Sequence, residues 1–190
     1  MIGLNTGIDI DTIYPLIKDA KTILEFGAGY GRVINFLRKK GFANEYIGIE
    51  RIDSLVKYLH ENYPNEATIL HQDIREIEIE NHPNVILWLW SGILELTPEE
   101  QKSTIQEAYD LLAPNGLLII EAPFKKIYKV GALEGEKSVR VEMDWGVLNA
   151  YFVTTDDIES YASSIGFSNF EYKTYQTTTD LERVFYLLRK

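Results

Sequence analysis

The chain has 190 residues, no cysteine, three histidines and a formal net charge of −10. The lack of cysteine excludes disulfides, thiolate metal sites and a cysteine nucleophile, and three scattered histidines predict no metal site. The acidic surface argues against nucleic acid as a partner, because such binding needs cations that neutralise phosphates. No stretch reads as a signal peptide or is apolar for long enough to span a bilayer, so we expect a cytoplasmic protein with no membrane partner.

Strand and helix patterns alternate along the first two thirds of the chain. Apolar, β-prone stretches predict strands at residues 22–26, 46–50, 68–72, 84–90 and 117–122. Helical patterns separate them: one starts at residue 32, one is expected to be capped by Ser54 or Asp53, and one starts after Thr97. Thr97-Pro98-Glu99-Glu100 has the sequence of a capping box with proline at the first helical position.

The order changes after the fifth strand. Residues 123–150 read as an added β-hairpin or lid, and Thr154–Asp157 opens another capped helix. Two final strands, near 170–175 and 183–188, are joined by a turn too short for a crossover and should pair antiparallel. The pattern predicts one α/β domain over residues 1–190: a doubly wound, mostly parallel seven-stranded sheet with helices on both faces and a C-terminal hairpin.

The stretch "ILEFGAGYGRVINFL" runs from an apolar strand directly into a helix through Gly27, Gly29 and Gly31. Glycine adopts positive φ angles and lets a ligand approach the main chain, so the turn predicts a ligand site at the carboxyl edge of the sheet. The dinucleotide fingerprint is G-x-G-x-x-G, whereas here Arg32 occupies the place of the third glycine. This spacing lowers the odds of NAD binding without excluding it.

Several motifs together resemble those of the class I (Rossmann-like) S-adenosylmethionine-dependent methyltransferase family. "LEFGAGYGRVINFL" is similar to its first motif, "YIGIE" to its second and "LHQDI" to its third. "VILWLWSGILELTPEEQ", "LLAPNGLLIIEAP" and "YFVTTDDIESYASSIGF" resemble its later segments. The resemblance covers most of residues 20–188.

The resemblance implies S-adenosylmethionine as cofactor and a set of residues that bind it. Glu50 would accept the ribose hydroxyls, Asp73 would meet the adenine amino group, and Ile74 would lie against the ring. The implied cofactor-binding residues are Glu25, Gly27, Ala28, Gly29, Gly31, Glu50, Arg51, Asp73, Ile74 and Trp90.

A structural alternative stays open for four of these residues. Glu50 could be a solvated acid after a strand, and Asp73 could cap its own turn. Glu25 could hydrogen-bond to the glycine turn or reach the ligand's ammonium group. Strand alternation places Trp88 and Trp90 on one face, so Trp90 could belong to the core rather than to the site.

The acceptor side carries fewer signals. Methyl transfer is an in-line displacement that requires orientation more than a catalytic triad, and Glu121 is a weak candidate base with a structural salt bridge as its alternative. Residues 1–20, with Tyr14, are expected to fold over the cofactor. Residues 123–150, with Tyr128 and Trp145, are expected to select the acceptor or to form an oligomer contact.

These expectations define three hypotheses for function. The first is a methyltransferase that acts, as a monomer or homodimer, on a small molecule. The alternatives are an NAD-dependent oxidoreductase and a non-catalytic S-adenosylmethionine-binding protein. The sequence does not identify the acceptor or the atom that is methylated.

Overall fold

A computed structural model describes residues 7–124, 137–143 and 146–190. The helices are α1 (Ile8–Ile17), α2 (Arg32–Lys39), α3 (Asp53–Asn62), α4 (Pro98–Leu111) and α5 (Thr155–Ile165), with a 3₁₀ helix at Gly92–Glu95. The strands are β1 (Thr22–Phe26), β2 (Glu45–Glu50), β3 (Thr68–His71), β4 (Val85–Trp88), β5 (Leu117–Pro123), β6 (Ser138–Met143), β7 (Gly146–Tyr151), β8 (Asn169–Gln176) and β9 (Glu182–Arg189).

Seven strands form the main sheet, in the order β3-β2-β1-β4-β5-β9-β8. β1 to β5 are parallel, whereas β9 pairs antiparallel with both β5 and β8. β6 and β7 form a separate antiparallel hairpin after β5. The structure therefore confirms the predicted mostly parallel sheet, the terminal hairpin and the added hairpin. The strand order reverses between β1 and β4, which is where such sheets place ligands.

Apolar side chains cover both faces of the sheet. Ile23 belongs to the cluster that contains α1, α2 and α3 residues, whereas Leu24 belongs to the cluster that contains α4 and α5 residues. This division follows from strand geometry, because successive side chains point to opposite faces. The helices therefore cover both faces of the sheet, as predicted.

Local signals place most helix ends correctly. Thr97 and Glu100 form the predicted capping box of α4, Thr154 and Asp157 form that of α5, and Gly166 ends α5 with a φ of 108°. The predicted cap of α3 was wrong: α3 begins after Ile52, and no side chain caps it. In the described part of the chain, no helix is long and apolar enough to cross a membrane.

Candidate functional site

A cavity of about 400 Å³ lies at the carboxyl edge of the sheet, across the ends of β1, β2, β3 and β4. Seven of the ten predicted cofactor residues line it: Gly27, Gly29, Glu50, Arg51, Asp73, Ile74 and Trp90. The lining also includes residues that no sequence motif assigned to the site, among them Tyr30, Ile52, Gln72, Arg75, Trp88 and Glu95. Cavities at this edge of doubly wound sheets are the usual ligand sites.

The glycines of the turn serve two different purposes. Gly27 and Gly29 have φ angles of 76° and 56°, and a Cβ at either position would meet no heavy atom within 4 Å. Their main chain therefore lies open beside the cavity. Gly31 has a φ of 74° but packs against α3, where an added Cβ would lie 2.5 Å from the Tyr63 ring. Gly31 does not line the cavity, so it is packing on α3 that requires glycine there.

Glu50 joins the glycine turn to the end of β2. Its side chain is 6% exposed, and Oε2 accepts a hydrogen bond of 2.9 Å from the Gly29 N–H. Oε1 accepts one of 2.9 Å from the Ile52 N–H, at the start of α3. Each carboxylate oxygen has a second lone pair, so the residue can hold the turn and still accept donors from a ligand.

Asp73 follows β3 and is held by an arginine that the sequence analysis missed. Arg75 donates to both carboxylate oxygens, from Nε at 2.9 Å and from Nη2 at 2.7 Å. The Arg75 backbone N–H also donates to Asp73, at 3.0 Å, which is the turn cap considered above. Hydrogen bonds from Arg75 lower the pKa of Asp73, so the carboxylate is ionised at neutral pH. Asp73 thus caps its turn and lines the cavity.

Trp88 and Trp90 occupy different environments. β4 ends at Trp88, and Trp90 and Ser91 have positive φ angles of 54° and 64°. The expectation that alternation places both rings on one face was therefore wrong, because the strand does not extend to Trp90. Trp88 is 1% exposed and Trp90 is 51% exposed, yet both line the cavity.

Glu25 and Ala28 lie outside the cavity lining. The Glu25 carboxylate is buried and accepts a hydrogen bond from the Tyr46 hydroxyl. Burial raises the pKa of Glu25 to about 8. Ala28 is 3% exposed and packs over β2, where a Cβ on Gly48 would lie 2.9 Å from the Ala28 Cβ. Both residues therefore contact β2 and do not face the cavity.

Of the three predicted acceptor-side residues, only Tyr14 lies within the described part of the chain. Tyr14 lies on α1, outside the cavity lining, where its ring packs edge-on against Phe36 with centroids 5.8 Å apart. The Lys40 ammonium lies 5.5 Å from the centroid of the same ring. Tyr128 and Trp145 lie outside the described residues.

Glu121 is fully buried at the end of β5 and is engaged on both oxygens. Oε2 accepts a hydrogen bond of 2.9 Å from Arg183, and Oε1 accepts from Arg183 and, at 2.8 Å, from the Tyr175 hydroxyl. Arg183 also donates to the Ser91 hydroxyl. This network corresponds to the structural salt bridge that the sequence analysis gave as the alternative for Glu121.

Residues 23–116 match the family model described as a methyltransferase domain. The matched segment covers 94 of the 190 residues, from β1 to the turn before β5. The match and the shared fold are those expected of the class I methyltransferases that the sequence motifs resemble.

A carboxy-S-adenosyl-L-methionine synthase of Shewanella piezotolerans is 31% identical to this chain over 130 residues. The match covers 63% of this chain and 51% of that protein, so the chain spans about half the length of the curated relative.

Solved methyltransferase structures share the fold. An amino pentose methyltransferase of Micromonospora echinaspora, solved with S-adenosylmethionine, is 16% identical with a TM-score of 0.70, covering 100% of this chain and 92% of that one. A 1,6-didemethyltoxoflavin-N1-methyltransferase of Burkholderia thailandensis, solved with S-adenosylhomocysteine, is 12% identical with a TM-score of 0.74, covering 99% and 79%. The magnesium protoporphyrin IX methyltransferase of Synechocystis is 16% identical with a TM-score of 0.71, covering 100% and 84%.

Proposed function

We propose that this protein transfers the methyl group of S-adenosylmethionine to a small-molecule acceptor. The observation that carries the proposal is the shared cavity of an open glycine turn and two carboxylates, Glu50 and Asp73, each at the end of a neighbouring parallel strand. A nucleoside with an amino-acid tail needs acceptors for its ribose and adenine and a bare main chain beside its tail. The methyltransferase-domain match over residues 23–116 and the S-adenosylmethionine bound in a structural neighbour support the same cofactor.

Each of these cavity residues can be assigned to one part of such a ligand. Glu50 would accept the ribose hydroxyls through its remaining lone pairs, and Asp73 would accept the adenine amino group. Ile74 offers an apolar surface to the purine ring. The bound cofactor would supply a methyl group that is already activated by its positively charged sulfur.

This chain's own contribution to the reaction would be orientation. Holding acceptor, methyl group and sulfur in line lowers the barrier by about 7–11 kcal/mol in intramolecular systems. The Trp90 ring, half exposed at the cavity wall, would favour a nearby cation through its π face. Glu121 is engaged with Arg183 and Tyr175, so we assign it to the architecture of the site and not to proton transfer.

The acceptor is proposed to be small and to meet residues 123–150. The β6–β7 hairpin lies in this segment and contains the next two strands after β5. The carboxyl end of β5 lies at the same edge of the sheet as the cavity. The net charge of −10 disfavours nucleic acid, and the structural neighbours include enzymes named for small-molecule substrates. Cofactor cover by residues 1–20, a monomer or homodimer, and a cytoplasmic location stay predictions.

Calorimetry with S-adenosylmethionine, S-adenosylhomocysteine and NAD tests the cofactor. We expect the two adenosyl amino acids to bind and NAD not to bind; binding of NAD alone would establish the oxidoreductase alternative. A panel of small acceptors, followed by mass spectrometry of the products, then tests methyl transfer. Tight cofactor binding without any methylated product would favour the non-catalytic alternative.

The relationship to a carboxy-S-adenosyl-L-methionine synthase supports a second candidate, in which the cofactor itself is the molecule modified. The two functions leave different products. Methyl transfer leaves S-adenosylhomocysteine, whereas in the second reaction a carboxyl group from a co-substrate replaces one hydrogen of the adenosyl amino acid, a net gain of the mass of CO2. Incubation with S-adenosylmethionine and a small-metabolite extract, followed by mass spectrometry, therefore separates them.

A further inference from the structure

The main sheet has a long open edge at β8. In the part of the chain that the structure describes, β8 is the last strand of this sheet and pairs with β9 alone. It is eight residues long, contains neither glycine nor proline, and exposes most of its side chains. The strand at the opposite edge, β3, has four residues. A long and regular edge strand presents a row of main-chain donors and acceptors to which another strand can pair.

Two hydrogen bonds identify the main-chain groups of β8 that face this open edge. The Phe124 N–H donates to the Glu182 carbonyl, so even-numbered residues of β9 bond to β5 and odd-numbered ones bond to β8. The Thr177 N–H donates to the Leu181 carbonyl, which continues the same pattern at the turn between β8 and β9. In the β8–β9 register, odd-numbered residues lie opposite odd-numbered ones. The even-numbered residues of β8 therefore direct their N–H and C=O groups outward; they are Phe170, Tyr172, Thr174 and Gln176.

Two opposite charges flank the centre of β8. Glu171 and Lys173 are both exposed, and they lie on the same face of the sheet because they are two residues apart. Among residues 7–124, 137–143 and 146–190, the Lys173 side chain makes no hydrogen bond or ion pair. The Glu171 carboxylate accepts a hydrogen bond of 2.8 Å from the neutral Asn169 amide of the same strand. Neither charge is therefore paired with one of opposite sign in this part of the chain.

We infer that β8 pairs antiparallel with β8 of a second copy of this chain, about a two-fold axis through Tyr172. In this register the outward-facing residues meet, with Tyr172 opposite the partner's Tyr172 and Phe170 opposite the partner's Thr174. Residue pairs of this kind exchange both of their main-chain hydrogen bonds. The same register places Glu171 opposite the partner's Lys173, and the symmetry of the pair repeats this contact on the other side of the axis.

The two charges select this register among its neighbours. Moving the axis by one residue, to Glu171 or to Lys173, still joins outward-facing groups but places two like charges directly opposite each other. Opposite charges across an antiparallel pair are favourable, whereas like charges are unfavourable. On the other face of the sheet, the two Tyr172 rings add an aromatic pair, and each is already stacked on Phe124 with ring centroids 6.1 Å apart.

The inferred contact is remote from the cavity. β9 and β5 separate β8 from β4, the nearest strand that contributes to the cavity lining. A dimer formed through β8 therefore extends the sheet without covering the cavity, and the inference does not depend on the proposed function.

Charge reversal at β8 tests the pairing, with sedimentation equilibrium of the full chain over a concentration series as the measurement. Glu171→Lys and Lys173→Glu each place like charges opposite each other in the inferred dimer. An equimolar mixture of the two variants restores opposite charges at both contacts, because each variant then carries a single sign at these positions. Lys57→Glu and Glu61→Lys, at an exposed pair of opposite charges on α3, are the matched controls.

We expect the unmodified protein and both controls to dimerise, and each reversal at β8 to weaken dimerisation by about 10- to 100-fold. The mixture of the two reversed variants should form heterodimers about as tightly as the unmodified protein forms its dimer. An unmodified protein that stays monomeric would overturn the inference and assign the charges to protection of the edge against pairing. Dimers that both reversals leave unchanged, or a loss that the mixture does not recover, would also overturn it. None of these outcomes bears on the proposed methyl transfer.

Discussion

Replacing Glu25 with glutamine should remove a pH dependence of folding. Glu25 is 5% exposed and accepts a hydrogen bond from the Tyr46 hydroxyl. Burial, the largest influence, raises its pKa from 4.5 to about 8. Between these two values the folded protein holds a proton that the unfolded chain has lost. The resulting stabilisation is complete below the unfolded pKa and disappears as the pH rises through the folded pKa.

The size of the effect follows from the width of this pH window. A difference of one bound proton changes the free energy of unfolding by about 1.4 kcal/mol per pH unit. Because the difference is smaller than one proton near each pKa, the total change between pH 5 and pH 8 is about 3.5 kcal/mol. Glutamine cannot titrate, but its side-chain oxygen can still accept the bond from Tyr46. Glu25→Gln should therefore lose the pH dependence while keeping the fold. Burial also raises the pKa of Asp9, which contributes a slope of the same sign in both proteins.

Urea unfolding at pH 5, 6, 7 and 8 measures the difference between the two proteins. Glu61→Gln, at an exposed position on α3, is the control and should follow the unmodified protein. If the unfolding free energies of Glu25→Gln and the unmodified protein change in parallel with pH, then Glu25 is ionised in the folded state and the argument from burial fails.

Three further predictions concern the site and its support. Glu50→Gln should weaken S-adenosylhomocysteine binding by about 10- to 100-fold in calorimetry, because ribose loses a charged acceptor; unchanged affinity would assign the ribose to another residue. Gly29→Val should abolish S-adenosylhomocysteine binding, because the valine side chain would enter the cavity. The control is Gly41→Val, at a glycine with a similar positive φ outside the cavity lining; it should bind S-adenosylhomocysteine normally despite a stability loss of about 1–2 kcal/mol. Arg183→Met should lower the unfolding free energy in urea by about 3–5 kcal/mol, since it leaves Glu121 buried without its charge partner. The double variant with Glu121→Leu should recover part of this loss. Equal stabilities of the single and double variants would contradict the prediction.

Local signals along the chain were enough to predict the main elements of the sheet, two helix starts and the turn beside the cavity. Strand and helix periodicity predicted the seven strands of the main sheet, and Thr97 and Thr154 marked two helix starts through their capping boxes. The conformational freedom of Gly27 and Gly29 marked the turn beside the cavity. Each of these signals lies within a few residues along the chain, where hydrogen-bond geometry and side-chain volume leave few alternatives.

Which of the predicted site residues face the cavity follows only from the packing of separate elements. In the folded protein Glu25 accepts a hydrogen bond from Tyr46, Glu121 pairs with Arg183, and Trp90 lies beyond the end of its strand. Asp9 pairs with Arg32, 23 positions further along the chain. No local pattern marks these pairs, because their energies depend on burial and on the distance between separate elements, and both are set only when the helices pack on the sheet.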